Sequence, residues 1–239
     1  MFFMNEIEKR ANTQEKRNKT IEAIIFDMDG VIVDSEPLQV EADQWVCETN
    51  GIVLEGADLS RFKGKPNRDT FAYIINTFTD GSLSVSDLVD QKRKRYVEIS
   101  RERLALVPGS EEFLASVRKK ISKIALATSS NRMIQKFTFD KFDLHRYFDT
   151  VTTGDEVTNG KPHPEPYLLT LKKLQISPER VYVIEDSGNG VLSAKAAGCK
   201  VIGITTSFSR EFLLENGADM VVDSFEEMHT FISSKLLPR

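Results

Sequence analysis

The chain has 239 residues, 40% of them hydrophobic and 28% charged, with a formal net charge of −4. That is an ordinary balance for a water-soluble globular protein, long enough for one large domain or for a domain carrying an insertion. The small acidic excess argues against a nucleic-acid backbone or an anionic membrane surface as partner.

Residues 1–19 open with Phe2-Phe3-Met4 and then turn charge-rich through Glu6, Glu8, Lys9, Arg10, Glu15, Lys16, Arg17 and Lys19. They lack the apolar centre of a signal peptide and are expected to form a flexible tail or a frayed helix without function. Cys47 and Cys199 are the only cysteines and show no CxxC spacing, so both are expected to be small buried hydrophobes in a reducing compartment. No apolar run approaches the ~20 residues that cross a bilayer, and the expected location is the cytoplasm.

A short apolar run, about 22–26, then leads straight into Asp27-Met28-Asp29-Gly30. Ile24-Ile25-Phe26 reads as a strand buried on both faces, as in parallel sheets. Gly30 permits a sharp turn after it. Asp27 and Asp29 thus fall at the carboxyl end of a central strand, where open α/β sheets bind ligands. Two carboxylates so close repel unless a proton or a cation lies between them, and hard oxygen donors suit Mg²⁺. Taken alone, Asp-x-Asp-Gly is also a common turn. A calcium loop of the EF-hand type is excluded because no Glu stands at the required spacing.

From Ser35 to about Leu106 the period changes to that of helices. Leu38, Ala42, Trp45, Val46 and Thr49 form one stripe, stopped at Gly51; Phe71, Ile74, Ile75 and Phe78 form a second; Leu88, Lys92, Arg95, Tyr96 and Ile99 form a third on a strongly charged helix. Nothing in this span reads as a strand, which predicts a small helical module inserted after the acidic strand. Beyond it strands and helices alternate. Helices are predicted at 109–120, 133–142, 164–174 and 191–197, and strands at 124–127, 150–152, 181–184, 201–204 and 220–222. The last two strands are each followed by a helical stretch. Such alternation implies βαβ units and a parallel sheet. The expected plan is therefore a core from residues 20–34 and 107–239, an α-helical module at 35–106, and a tail at 1–19.

The residues just past each strand form one chemical set. Asp27 and Asp29 follow the first strand, Thr128 and Ser129 the strand at 124–127, Lys161 the strand at 150–152, and Glu185 with Asp186 the strand at 181–184. Each part has a plainer explanation: a solvated lysine, or caps for the helices that follow. Together they match what phosphoryl transfer to a carboxylate needs. Mg²⁺ held by Asp27, Glu185 and Asp186 would cancel the repulsion between a phosphoester and Asp27 as nucleophile. Asp29 would protonate the leaving oxygen and then deprotonate water. Thr128 and Ser129 would donate to the phosphoryl oxygens, and Lys161 would add positive charge.

The strings Asp27-Met28-Asp29-Gly30-Val31-Ile32-Val33-Asp34-Ser35-Glu36-Pro37, Ala127-Thr128-Ser129-Ser130, Gly160-Lys161-Pro162 and Ile184-Glu185-Asp186-Ser187 resemble, in order, the four motifs of the haloacid dehalogenase-like hydrolase superfamily. The helical insert resembles the cap of its β-phosphoglucomutase-like phosphatases. This resemblance implies a Rossmann-like core, a mobile cap, Mg²⁺ dependence and an aspartyl-phosphate intermediate. It also implies that the backbone carbonyl of Asp29 is a metal ligand. The mutases of that group carry a histidine where Gln39 stands here, and Gln39 cannot titrate.

A phosphatase acting on a small sugar or polyol phosphate is therefore expected, with a sugar-phosphate mutase as the alternative. A non-catalytic phospho-acceptor module fits poorly beside Lys161 and Thr128. Between two insert helices lie Arg61, Lys63, Lys65, Asn67 and Arg68 around Gly64, a candidate specificity cluster or an exposed basic loop. Expected substrate contacts are Ser129, Lys63, Gly64, Arg68 and Gln39. The protein is expected to be a monomer or weak dimer acting on a small molecule.

Overall fold

The computed structural model describes residues 21–54, 62 and 66–235. The tail at 1–19 and the loop residues Arg61, Lys63, Gly64 and Lys65 lie outside the described residues.

The strands that organise the core are β1 (Ala23–Phe26), β4 (Lys123–Ala127), β5 (Thr150–Thr152), β6 (Val181–Glu185), β7 (Lys200–Ile204) and β8 (Met220–Val222). They form one parallel sheet in the order β5-β4-β1-β6-β7-β8. Period-two alternation divides their apolar residues between two buried faces. Ile24, Phe26, Ile124, Leu126, Ile184, Ile202 and Ile204 point to one face; Ala23, Ile25, Ala125, Ala127, Val181, Val183 and Val201 point to the other. On the first face lie helices α4 (Ser110–Arg118), α5 (Arg132–Phe142) and α9 (Phe225–Lys235), through Phe113, Phe139 and Phe225. The second face is covered by α6 (Glu165–Leu174), α7 (Gly188–Ala196) and α8 (Arg210–Glu215), through Tyr167, Val191 and Leu213. This is a Rossmann-like three-layer α/β core. Since β4 flanks β1 on one side and β6 on the other, the order in which strands are added reverses beside β1, and the crevice beyond its carboxyl end is where such sheets seat ligands.

Between β1 and the rest of the sheet stand α1 (Glu36–Thr49), α2 (Asn67–Phe78) and α3 (Val85–Arg103). Val46, Cys47, Ile52, Phe62, Phe71, Ile74, Ile75 and Leu88 give these helices a small core of their own. Leu38, Ala42, Tyr96 and Ile99 instead join the apolar cluster of the sheet. Buried Lys92 ties the three helices together by donating to Asp43 of α1 and to Asn67 at the start of α2, each at 2.8 Å.

Two features depart from the sequence reading. The insert enters and leaves through a two-stranded antiparallel ribbon, β2 (Val33–Asp34) with β3 (Ala105–Leu106); β3 falls at the end of the span 35–106, where only helix was expected. Two residues per strand are too few for an alternation pattern to register. Backbone pairing between distant segments makes this ribbon, and Val107 N–H adds a bond to the Ile32 carbonyl at 3.0 Å. Helix α7 also begins at Gly188, ahead of the apolar stripe that starts at Val191. Cys47 and Cys199 are buried and unpaired. No helix among the described residues is long and apolar enough to cross a membrane.

Candidate active site

The edge of β1 closest to the crevice ends in Asp27, whose N–H donates to the Ile184 carbonyl at 3.0 Å and so continues the ladder with β6. The chain then turns sharply: Gly30 N–H donates to Val33 O at 2.8 Å, while Ile32 and Val33 N–H both donate to Met28 O. Gly30 has φ +75°, and a Cβ built there would stand 1.9 Å from Oδ2 of Asp186. Glycine is thus required twice over, by backbone conformation and by the close approach of a second acidic strand end. Among the described residues none of the turn's backbone N–H groups takes the carbonyl of Asp29, which is left available as an oxygen ligand.

Lys161 reaches this point from the loop after β5. Glu165 holds that loop by accepting from the N–H groups of Thr158 and Asn159 at 2.8 and 2.9 Å, and Ser193 of α7 donates to the His163 carbonyl at 2.6 Å. The Lys161 ammonium, buried with the carboxylates, donates to Asp27 Oδ1 at 2.7 Å, Glu185 Oε1 at 2.6 Å and the Ala127 carbonyl at 3.0 Å. All three of its protons are used, which fixes the head group in place.

Carboxylate oxygens of Asp27, Glu185 and Asp186 come within 4.8 Å of one another, and all three residues are buried. Burial is the largest influence on Asp27 and lifts its carboxyl to about 7; Lys161 opposes this, and the charges of Glu185 and Asp29 add to it. Asp186 is held well above the ordinary carboxyl range by burial, then by Glu185 and Asp27. One ammonium does not balance three buried carboxylates. This is the donor set that a hard divalent cation satisfies, so the residues fit Mg²⁺.

The three acids are not equivalent. Glu185 Oε1 already accepts from Lys161 and from the hydroxyl of Tyr167 at 2.5 Å, and Oε2 accepts from Ser187 Oγ at 3.1 Å. Glu185 is thereby occupied in holding Lys161, and Asp27 and Asp186 are the better placed to meet an ion directly. A Cβ on Gly190 would fall 1.9 Å from the Glu185 carboxylate, so the first turn of α7 is shaped around that group. Gly190→Ala is accordingly expected to push Glu185 off Lys161 and lower the melting temperature by several degrees, a destabilisation of about 2–3 kcal/mol. An unchanged thermal melt would show that Glu185 has room to move.

Asp29 is half-buried on the turn. Its Oδ2 accepts from Ser130 Oγ at 2.7 Å and lies 3.5 Å from Thr128 Oγ1. Thr128 is buried, with its hydroxyl also accepting from Ser130 N–H at 3.0 Å; Ser129 is exposed, its carbonyl facing Gly154. The plainer helix-capping roles coexist with this arrangement. Asn131 caps α5 by accepting from Ile134 N–H, and Ser187 caps α7 by accepting from Gly190 N–H.

The fold therefore brings Asp27, Asp29, Thr128, Lys161, Glu185 and Asp186 to one crevice. Two further candidates stand on the insert. Gln39 is half-buried in the first turn of α1, and Arg68 is exposed in the first turn of α2. Neither side chain bonds to the acidic cluster among the described residues. Sequence reasoning missed Tyr167 because it sits in the apolar stripe of α6 with Leu171 and Leu174, and only its hydroxyl departs from a core role. Ser130 was closer to view, lying in the same loop as Thr128.

The profile of the haloacid dehalogenase-like hydrolase family matches residues 24–204. A phosphorylated carbohydrates phosphatase of Thermotoga maritima is 39% identical, over 84% of this chain and 94% of its own. Glycerol-1-phosphate phosphohydrolase 1 of Saccharomyces cerevisiae is 32% identical over 87% of this chain and 84% of its own. Among solved structures, a Thermotoga maritima chain described provisionally as a beta-phosphoglucomutase superposes with a TM-score of 0.74 at 37% identity, covering 90% of this chain and all of that one.

Proposed function

The chain belongs to the haloacid dehalogenase-like hydrolases, and from that premise we propose a Mg²⁺-dependent cytoplasmic phosphatase that hydrolyses a small sugar or polyol phosphate through a phosphoryl group carried on Asp27. The observation that carries this reading is the buried meeting of Asp27, Lys161, Glu185 and Asp186 at the switch point of the sheet. Asp27, Asp186 and the Asp29 carbonyl would hold the ion, with Glu185 beside them. Once bound, the ion supplies the charge neutralisation that lets an anionic ester approach carboxylates.

In the first half-reaction an oxygen of Asp27 attacks phosphorus, the bond from phosphorus to the ester oxygen breaks, and Asp29 gives its proton to the departing alkoxide. In the second, Asp29 takes a proton from water as that water attacks the same phosphorus. Inorganic phosphate leaves and the Asp27 carboxylate is restored. Lys161 keeps Asp27 oriented and its charge offset throughout, while Thr128 and Ser129 donate to the transferring group. The insert at 35–106 serves as a cap over the leaving group, read by Gln39, Lys63, Gly64 and Arg68. The names of the relatives, a phosphatase of phosphorylated carbohydrates and a glycerol-1-phosphate phosphohydrolase, support a carbohydrate or polyol leaving group.

The expected result of a phosphate-release screen is turnover of sugar and polyol phosphates with Mg²⁺ and none with chelator. Activity that survives metal removal contradicts the proposed neutralisation. The mutase alternative is favoured by the solved neighbour and disfavoured by Gln39, which offers no titratable group. Supplying a β-hexose 1-phosphate with a bisphosphate primer decides between them: isomerisation to the 6-phosphate without free phosphate would establish the mutase.

A further inference from the structure

Asp29 is held from one side only. Its Oδ2 accepts from Ser130, but its Oδ1 is buried and has no hydrogen-bond partner among the described residues. A carboxylate oxygen sealed from solvent without a donor is rare in folded proteins and calls for an explanation. A second orphan lies on the insert. Tyr96 of α3 is 1% exposed, and its hydroxyl is also buried and unpartnered, as is that of Ser100 one helical turn on. The Tyr96 ring packs in the same apolar cluster as Met28, Val31 and Ile32, the residues that make the turn on either side of Asp29. Burial, and next to it the negative charge of Asp29, hold the phenol well above its ordinary value, with the hydroxyls of Ser100 and Ser35 beside it. The phenol therefore keeps its proton and forms no hydrogen bond among the described residues, and the charge it feels is that of Asp29, whose Oδ1 has no donor.

We propose that Tyr96 is a positioning residue for Asp29, its hydroxyl donating to Asp29 Oδ1 directly or through one water and so tying the orientation of that carboxylate to the seating of α3. The inference rests on the reading of Asp29 as the acid–base group. Ser130 and Thr128 fix one oxygen from the core, and Tyr96 fixes the other from the insert. With both in place the carboxylate cannot turn about its own axis, and its proton is aimed at the leaving oxygen. The helical insert then contributes to proton transfer through a residue that need not touch substrate.

Proton donation matters only for poor leaving groups, which supplies the test. In the full chain, Tyr96→Phe is expected to lower kcat/KM about tenfold for an alkyl (polyol) phosphate and less than about twofold for p-nitrophenyl phosphate, whose phenolate departs unprotonated. Equal losses on both substrates would mean a packing role, and no loss on either would mean no engagement; both overturn the proposal. Asp27→Asn, run alongside, is expected to silence both substrates. A wild-type protein that turns over neither with Mg²⁺ defeats the reading of the site itself, and the inference with it. Should Tyr96→Phe not fold, 3-fluorotyrosine placed at position 96 gives a fluorine resonance expected to shift on Asp29→Asn, and an unmoved resonance overturns the proposal.

Discussion

Asp27→Asn is expected to abolish phosphate release, by about 10⁴–10⁶-fold, while the protein remains folded. The amide has the shape of the carboxylate and can still accept from Lys161 through its oxygen, so the 2.7 Å contact survives in kind. What disappears is the nucleophile. The reason to expect an intact fold is electrostatic: burial first, and then the charges of Glu185 and Asp29, push the Asp27 carboxyl up to about 7 against the pull of Lys161. Replacing one member of a crowded acidic set by a neutral amide relieves repulsion, so the metal-free melting temperature should hold or rise. Two measurements check the pair of statements. Phosphate release should vanish while the melting temperature does not fall, and acid-quenched wild type should carry a phosphoryl group that the variant lacks. A variant that still turns over substrate would remove Asp27 as the phosphoryl carrier.

Legibility in the sequence followed the strength of the local physical signal. Ile24-Ile25-Phe26, Ile124-Ala125-Leu126-Ala127 and Val181-Tyr182-Val183-Ile184 were legible because a strand buried on both faces must be continuously apolar. All three occur as neighbours at the centre of the sheet. Polar residues at their carboxyl ends could be gathered into one site because parallel strands place those ends on one rim. The β2–β3 ribbon was not legible, since long-range backbone pairing and not side-chain pattern creates it. Nor was the division of labour among the acids: Glu185 and Asp186 are adjacent in sequence, and only Tyr167, Ser187 and Lys161 around Glu185 distinguish them. Tyr96 was read as part of an apolar stripe, which it is; the fate of its hydroxyl depends on what α3 packs against.

Lys161→Met is expected to be the most destabilising of these substitutions, by about 3–5 kcal/mol at neutral pH in metal-free protein, because removing one partner leaves buried charge uncompensated. The thioether chain refills most of the volume, so the loss is electrostatic and must depend on pH. In the wild type the folded carboxyl of Asp27, lifted from 3.8 to about 7, holds a proton that the unfolded chain has released. Stability therefore falls as pH rises from about 4 to about 7 and levels off above that, where both states are ionised. Without the ammonium, Asp27 and Asp186 are held higher still, and the falling limb extends to higher pH. Near pH 5 both proteins keep the carboxyls of Asp27 and Asp186 protonated in the folded state, and the gap between them is smallest there. Near pH 8 the variant must either bury charge without an offset or retain protons that the unfolded chain has given up, and both are costly. Denaturant unfolding in chelator should thus show a gap between wild type and Lys161→Met that widens from about pH 5 to about pH 8. A gap of equal size at the two pH values would mean that Lys161 acts through packing, and that the acids around it are balanced by something other than its charge.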